Sequence, residues 1–213
     1  MAGPDLTKVV GVLLAGGRAL RMGGGQKYLL ALGGRTLLEH AIERARPQVA
    51  RMVLNANADS GRLARFGLPV AGDVVEGHAG PLAGVLTGME WARKNAPDAR
   101  WVATFATDCP FFPRDLVGRF LQAIEAAMAT EGADLARAVS GGRPHPVFGL
   151  WPVKLAQPLR QALMEEGVRK IGCWTARYRV ADIDYPTEPV DPFFNVNRPE
   201  DLVRAEELLG KAG

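Results

Sequence analysis

An α/β fold, with a mostly parallel sheet and helices on both faces, follows from three features of the sequence. Strand-length apolar runs alternate with helix-length amphipathic stretches four times before residue 130, the pattern of repeated βαβ units. The runs at 9–14 and 101–107 are apolar and rich in β-branched or aromatic residues, as strands buried on both faces are. Gly16-Gly17, Asn55, Asp73 and Asp108 all stand at expected strand carboxyl ends. Ligands of such sheets bind beyond those ends, so the four points predict one site.

The first strand, Val9 to Leu14, stops at a glycine-rich stretch. Residues 16–27 contain Gly16, Gly17, Gly23, Gly24 and Gly25 with the cations Arg18, Arg21 and Lys27. Glycine lets backbone approach a ligand closely, and successive N–H groups can form an anion-binding concavity. A triphosphate suits that combination; a solvated surface loop is the bland alternative. The stretch is not a P-loop, since Gln26 precedes Lys27 and Tyr28 follows it, and no G-x-G-x-x-G occurs.

Residues 27–32 read as extended, with a turn at Gly33-Gly34. Thr36 and Glu39 have capping-box spacing for a helix from Leu37 to about Arg46, ended by Pro47. Leu37, Leu38, Ala41, Ile42 and Ala45 form its apolar face, and His40 reads as a surface residue. A strand at 52–57, a short helix from Ser60 through Phe66 and a weaker strand at 68–71 follow. A loop carrying His78 leads to a long helix with Pro81 in its first turn and 83–94 within it. The strand at 101–107 ends at Asp108-Cys109-Pro110, before a helix over about 113–128.

The second half changes character. Strands at 133–139 and 147–151 flank Ser140 to Pro146, as a hairpin or an antiparallel edge. Helices over 154–165 and 170–176, a strand over 178–183 and a last helix to about Leu209 complete the chain. With no repeat, low-complexity tract or linker, residues 1–213 read as one domain.

Composition excludes several classes. No apolar run approaches the ~20 residues of a membrane span, and no signal peptide is read at the N-terminus. Two cysteines, Cys109 and Cys173, make neither a disulfide framework nor a zinc cluster, so a cytoplasmic protein with packed thiols is expected. The net charge of +3 is spread without basic runs, which argues against nucleic acid as a partner.

Each candidate site residue has a structural alternative. Asp108 suits a Mg²⁺ ligand, or caps the following helix. Asp73 reaches ribose or metal, or caps a turn. Asn55 and Asn57 contact base or ribose, or serve turn chemistry. Gly80-Pro81-Leu82-Ala83-Gly84 opens a helix whose N-terminus favours anions, or marks a tight helix–sheet contact. Asn195 and Asn197 share a side if extended, so either amide oxygen suits the metal shell, or Asn197 caps the last helix. His145, between Pro144 and Pro146, contacts an acceptor molecule or is structural. Arg169 and Lys170 bind an acceptor phosphate or are solvated charges.

The run Leu14-Ala15-Gly16-Gly17, Arg21-Met22-Gly23 and Lys27 resembles the L-A-G-G-x-x-x-R-M-G-x-x-K signature of nucleotidyltransferases. Adding Asn55-Ala56-Asn57, Asp73, Gly80 to Gly84, Asp108-Cys109-Pro110, His145-Pro146 and Asn195 to Leu202, the chain resembles the molybdenum cofactor guanylyltransferases over nearly its whole length. The resemblance implies a Rossmann-like three-layer sandwich of the nucleotide-diphospho-sugar transferase type. It also implies transfer of GMP from GTP to molybdopterin, with pyrophosphate released. By the same resemblance Leu14, Ala15, Gly16, Gly17, Lys27, Asn55, Asp73, Gly80 and Asp108 bind GTP, in the N-terminal half. Asp108 and Asn197 hold Mg²⁺, and Arg21, Lys27 and Asp108 are catalytic. His145, Arg169, Lys170, Asn195 and Asn197, in the C-terminal half, bind the acceptor. Transient contacts with molybdenum-insertion proteins and molybdoenzyme chaperones are implied too. Gly16 favours guanine, since cytidylyl relatives tend to read Leu-Ala-Ala-Gly. Gln26 departs from the aspartate often found before the lysine. The alternatives are a cytidylyl or other phosphate-acceptor transferase on the same fold, and a non-catalytic nucleotide-binding module.

Overall fold

A computed structural model of the chain describes residues 3–16, 26–57, 60–75, 77, 80–128 and 132–210. The strands are β1 (Val9–Leu14), β2 (Ala31–Leu32), β3 (Arg35–Thr36), β4 (Arg51–Asn55), β5 (Val70–Ala71), β6 (Trp101–Ala106), β7 (Leu135–Ser140), β8 (Arg143–Pro152) and β9 (Val180–Tyr185). The helices are α1 (Leu37–Ala45), α2 (Ser60–Leu63), α3 (Pro81–Asn95), α4 (Leu116–Met128), α5 (Ala156–Met164), α6 (Ile171–Thr175) and α7 (Pro199–Leu209). Seven strands form the main sheet in the order β5-β4-β1-β6-β8-β7-β9, and β2 pairs with β3 apart from it. Only β8 runs antiparallel to its neighbours in that sheet.

β1 lies between β4 and β6, and its unbroken apolar character follows from a core on each of its two faces. Val9 and Leu13 enter one core with residues of α1 and α4, while Val10 and Val12 enter a second with α3, α5 and α6. α3 lies close against β1 because it has glycine where side chains would collide. A Cβ on Gly88 would stand 2.3 Å from Val12 Cγ2, and one on Gly84 2.5 Å from Leu14 Cδ2. α1 starts at the expected capping box: Thr36 Oγ1 accepts from Glu39 N–H, and the Glu39 carboxylate accepts from Thr36 N–H.

One detail departs from the expected elements, and of the two alternatives for the second half the hairpin is the one formed. Residues Lys27–Leu29 form a 3₁₀ turn rather than an extended segment, with Leu30 N–H returning to the Lys27 carbonyl. Tyr28 is 2% exposed, and its burial draws the turn inward. The hairpin β7–β8 lies inside the sheet, since β9 pairs parallel with β7 and takes the edge. Its two-residue turn, Gly141-Gly142, has φ of 53° and 72°, which a type I′ turn requires at both positions. β6 pairs only with Gly149–Pro152 of β8. The preceding half of β8, with Pro144 and Pro146, continues beside β7 alone, where missing N–H groups cost the sheet least.

Candidate active site

The carboxyl ends of β1, β4, β5 and β6 meet the half of β8 that β6 leaves unpaired around a cavity of about 1280 Å³. Single small ligands usually occupy roughly 300–1,000 Å³, so the cavity among the described residues exceeds what one small ligand needs. Leu14, Ala15, Gly16, Asn55, Asp73, Gly80 and Asp108 line one end, and His145, Asn195 and Asn197 the other.

Lys27 joins the two ends. Its side chain is 10% exposed, and Nζ donates to Asp108 Oδ2 at 2.5 Å, Asn197 Oδ1 at 2.6 Å and Asn195 Oδ1 at 3.1 Å. The partners lie 81, 170 and 168 residues away in sequence, and specific backbone contacts bring them together. The 3₁₀ turn aims Lys27, while Asp108 follows the end of β6. Val196 N–H donates to the Asp108 carbonyl at 2.8 Å, and the Val196 side chain is fully buried among Leu32, Leu37, Phe111 and α7. With Val196 turned inward, Asn195 and Asn197 share the opposite side, the geometry expected of an extended segment. Asn197 does not cap α7 with its side chain. The Asp201 carboxylate, in the first turn, instead reaches back and accepts from the N–H groups of Asn197 and Arg198 just before the helix.

One carboxylate and two amide oxygens thus converge on a single cation. These are hard oxygen donors of the kind Mg²⁺ takes, completed as a rule by substrate phosphates and water. Among the described residues there is no group of three or more His, Cys, Asp or Glu, so phosphate oxygens would have to share the ion. Cys109 stands next to Asp108, but burial pushes its thiol well above the usual range, and it donates to the Phe193 carbonyl as a packed thiol.

At the other strand ends a polar knot holds Asp73. Its Oδ1 accepts from Asn55 Nδ2 at 2.9 Å and its Oδ2 from Asn57 Nδ2 at 2.7 Å, while its N–H donates to Asn57 Oδ1. Asn55 Nδ2 also donates to the Ala71 carbonyl, so both its amide hydrogens are used within the protein. Asn55 therefore fastens β4 to β5 and presents Asp73 to the cavity. Gly84 makes room for it, because a Cβ there would stand 2.4 Å from Asn55 Oδ1. Ala15 N–H donates to the Asn55 carbonyl, so this N–H is engaged within the protein.

At the hairpin, His145 Nε2 lies 2.8 Å from Ser140 Oγ, which donates to Asp191 Oδ1 at 2.9 Å. The His145 ring stacks on Phe193, with centroids 4.6 Å apart. Arg143, Asp191, Phe193, Phe194 and Arg198 also line this end. None of these five stood out in the sequence as a site residue. The only signals were the Gly-Gly turn beside Arg143 and the neighbourhood of the Asn195–Asn197 element.

Arg169 and Lys170 do not line the cavity. The Arg169 guanidinium donates to the carbonyl of Leu163 at the end of α5, as basic residues at helix C-termini do, and to that of Val168 beyond it. Lys170 precedes α6 with an exposed side chain. Gly17, Arg21, Met22, Gly23, Gly24 and His78 lie outside the described residues.

The family described as MobA-like NTP transferase domain matches residues 11–178. A molybdenum cofactor guanylyltransferase from Bradyrhizobium sp. (strain ORS 278) is 52% identical over 208 residues, covering 98% of this chain and 96% of its own. That of Nitrobacter hamburgensis is 52% identical over 209 residues, covering 98% of each. Among solved structures, the molybdopterin-guanine dinucleotide biosynthesis protein A of Archaeoglobus fulgidus superposes with a TM-score of 0.71 at 24% identity, over 95% of this chain and 99% of that one. A manganese complex of a Mycobacterium tuberculosis protein superposes with a TM-score of 0.65 at 18% identity, over 94% and 99%. These two structures bear on the fold, which is the Rossmann-like α/β sandwich expected. No helix among the described residues is long and apolar enough to cross a membrane.

Proposed function

The chain belongs to the MobA-like NTP transferase domain family, and we propose that it transfers GMP from GTP to the phosphate of molybdopterin, forming molybdopterin guanine dinucleotide. The observation that carries this reading is the 52% identity, over nearly the full length, to two molybdenum cofactor guanylyltransferases.

An acceptor phosphate oxygen attacks the α-phosphorus of GTP. A new P–O bond forms there as the bond to the bridging oxygen breaks, and pyrophosphate leaves with the electron pair. No protein nucleophile is required, so the chain's work is positioning and charge neutralisation. GTP takes the end lined by Gly16, Asp73 and Gly80, and the acceptor takes the end lined by His145, Asn195 and Arg143. Asp73, with lone pairs left beyond those given to Asn55 and Asn57, serves the ribose hydroxyls. Lys27, and Arg21 from outside the described residues, neutralise the triphosphate. Asp108 and Asn197 are the residues that would hold Mg²⁺. When bound, the ion supplies further positive charge to phosphate oxygens. The reducing cytoplasm is the compartment in which we place this reaction, in keeping with two free thiols.

Pyrophosphate release with Mg²⁺ tests the reading. Release that needs both GTP and molybdopterin is the expected result. Release with CTP in place of GTP would overturn the base assignment, and silence with both nucleotides would overturn the acceptor.

A further inference from the structure

We propose that Ser140 and Asp191 are positioning residues that hold His145 as the Nε2–H tautomer, so that its Nδ1 lone pair serves the acceptor as a hydrogen-bond acceptor for a heterocycle N–H. The inference rests on molybdopterin being the acceptor, since a pterin ring carries N–H and amino donors.

Proton counting carries the argument. The Asp191 carboxylate only accepts, and its Oδ1 takes both the Phe193 N–H at 3.0 Å and the Ser140 hydroxyl at 2.9 Å. A serine hydroxyl has one hydrogen, and here Asp191 receives it. The 2.8 Å contact between Ser140 Oγ and His145 Nε2 therefore needs its hydrogen from the imidazole. Nε2 is the donor, and a neutral ring then leaves Nδ1 bare. Nδ1 makes no hydrogen bond among the described residues, and His145 lines the cavity.

The fold keeps this chain of contacts in place. In the hairpin Ala138 pairs with His145, so Ser140, two residues along the same face, is its diagonal neighbour. Phe193 fixes the imidazole plane from below, with 26° between the rings. A second proton on the ring is opposed by its surroundings. Burial lowers the His145 pKa, Arg143 adds to that, and Asp191 works against it. A neutral acceptor suits a heterocycle N–H, whereas a phosphate oxygen needs a donor.

The test reads the tautomer first. Long-range ¹H–¹⁵N spectra of the full chain, free of nucleotide and acceptor, are recorded at about pH 7.5, where a ring of ordinary pKa near 6.5 is already mostly neutral. The chain has three histidines, and His145→Gln identifies the signal. The expected spectrum has Nε2 protonated and Nδ1 bare in the wild type, and mixed tautomers in Ser140→Ala. The KM for molybdopterin should rise about 2- to 13-fold in Ser140→Ala, the range of one net hydrogen bond, with the KM for GTP unchanged. His145→Asn, whose amide oxygen stands near the Nδ1 position, should keep a lower molybdopterin KM than His145→Gln. A protonated Nδ1 in the wild-type spectrum overturns the proposal without any variant. An equal rise of both KM values in a folded Ser140→Ala overturns it as well. The expected tautomer in a chain that releases no pyrophosphate with GTP and molybdopterin refutes the proposed function and the use of Nδ1, while supporting the roles of Ser140 and Asp191.

Discussion

Replacing Lys27 with Met should move metal and nucleotide affinity in opposite directions. The ammonium sits among three oxygens at 2.5, 2.6 and 3.1 Å, the donors available to a divalent ion. Two cations cannot share them: unit charges 4 Å apart repel by roughly 4 kcal/mol even at an effective dielectric of about 20. In the nucleotide-free protein a metal must therefore displace the ammonium. Breaking even one of the three charge-assisted hydrogen bonds costs about 1.5–3 kcal/mol net, so removing the ammonium should tighten Mn²⁺ binding at least roughly 10-fold. GTP loses one such contact in the same variant and should weaken by a similar factor. The methionine keeps the aliphatic stem, and the Asp108 side chain, 25% exposed, remains open to water, so the fold should survive. Electron paramagnetic resonance of free Mn²⁺, with calorimetric titration of GTP, reads both quantities, and thermal unfolding confirms the fold. Unchanged Mn²⁺ affinity in a folded Lys27→Met protein would refute the shared-oxygen argument, and unchanged GTP affinity would remove Lys27 from the triphosphate site.

Asp108→Ala should fold and lose turnover by about 10²–10³-fold, the effect of losing one preorganised electrostatic partner; near-normal pyrophosphate release would remove Asp108 from the site. Gly88→Ala brings a Cβ to 2.3 Å from buried Val12, an overpacking of about 1–3 kcal/mol that exceeds the gain in helix propensity. Its Tm should fall by a few degrees with GTP affinity intact, whereas Gly84→Ala, which collides with Asn55 Oδ1, should lose both; equal behaviour of the two would contradict the packing described. The molybdopterin KM should be flat from about pH 8 to 7 and rise only below the ordinary histidine value near 6.5, because burial lowers the His145 pKa. The same shift makes the unfolded chain the better proton binder. The stability contributed by His145 is thus complete above the unfolded value and declines as pH falls from there through the folded one. A rise in KM beginning above pH 7 would contradict this sign.

What was legible in the sequence followed from short-range rules. Val9–Leu14 reads as a doubly buried strand because burial on both faces needs no contact map, and Thr36 with Glu39 names its own helix start. That Gly16, Asn55, Asp73 and Asp108 converge on one cavity was legible for a topological reason that holds before any side chain is placed. Local rules failed where a residue answers to distant partners. Lys27 reads as part of an extended segment in sequence; with Tyr28 buried, it sits instead in a 3₁₀ turn, and its partners lie as far as 170 residues away. Arg169 looked like a phosphate ligand because a basic pair after Glu166-Gly167 carries no local sign that α5 ends there and needs its carbonyls capped. Ser140 and Asp191 are individually ordinary, and 51 residues separate them. Their significance arises only when the proton on the hydroxyl is assigned, since that assignment fixes which imidazole nitrogen carries the hydrogen. The proposed chemistry thus rests on two long-range contacts, Lys27 to Asp108 and its asparagines, and Asp191 to His145 through Ser140. Each is set by a buried residue that does no chemistry itself: Tyr28 and Val196 for the first, Phe193 for the second.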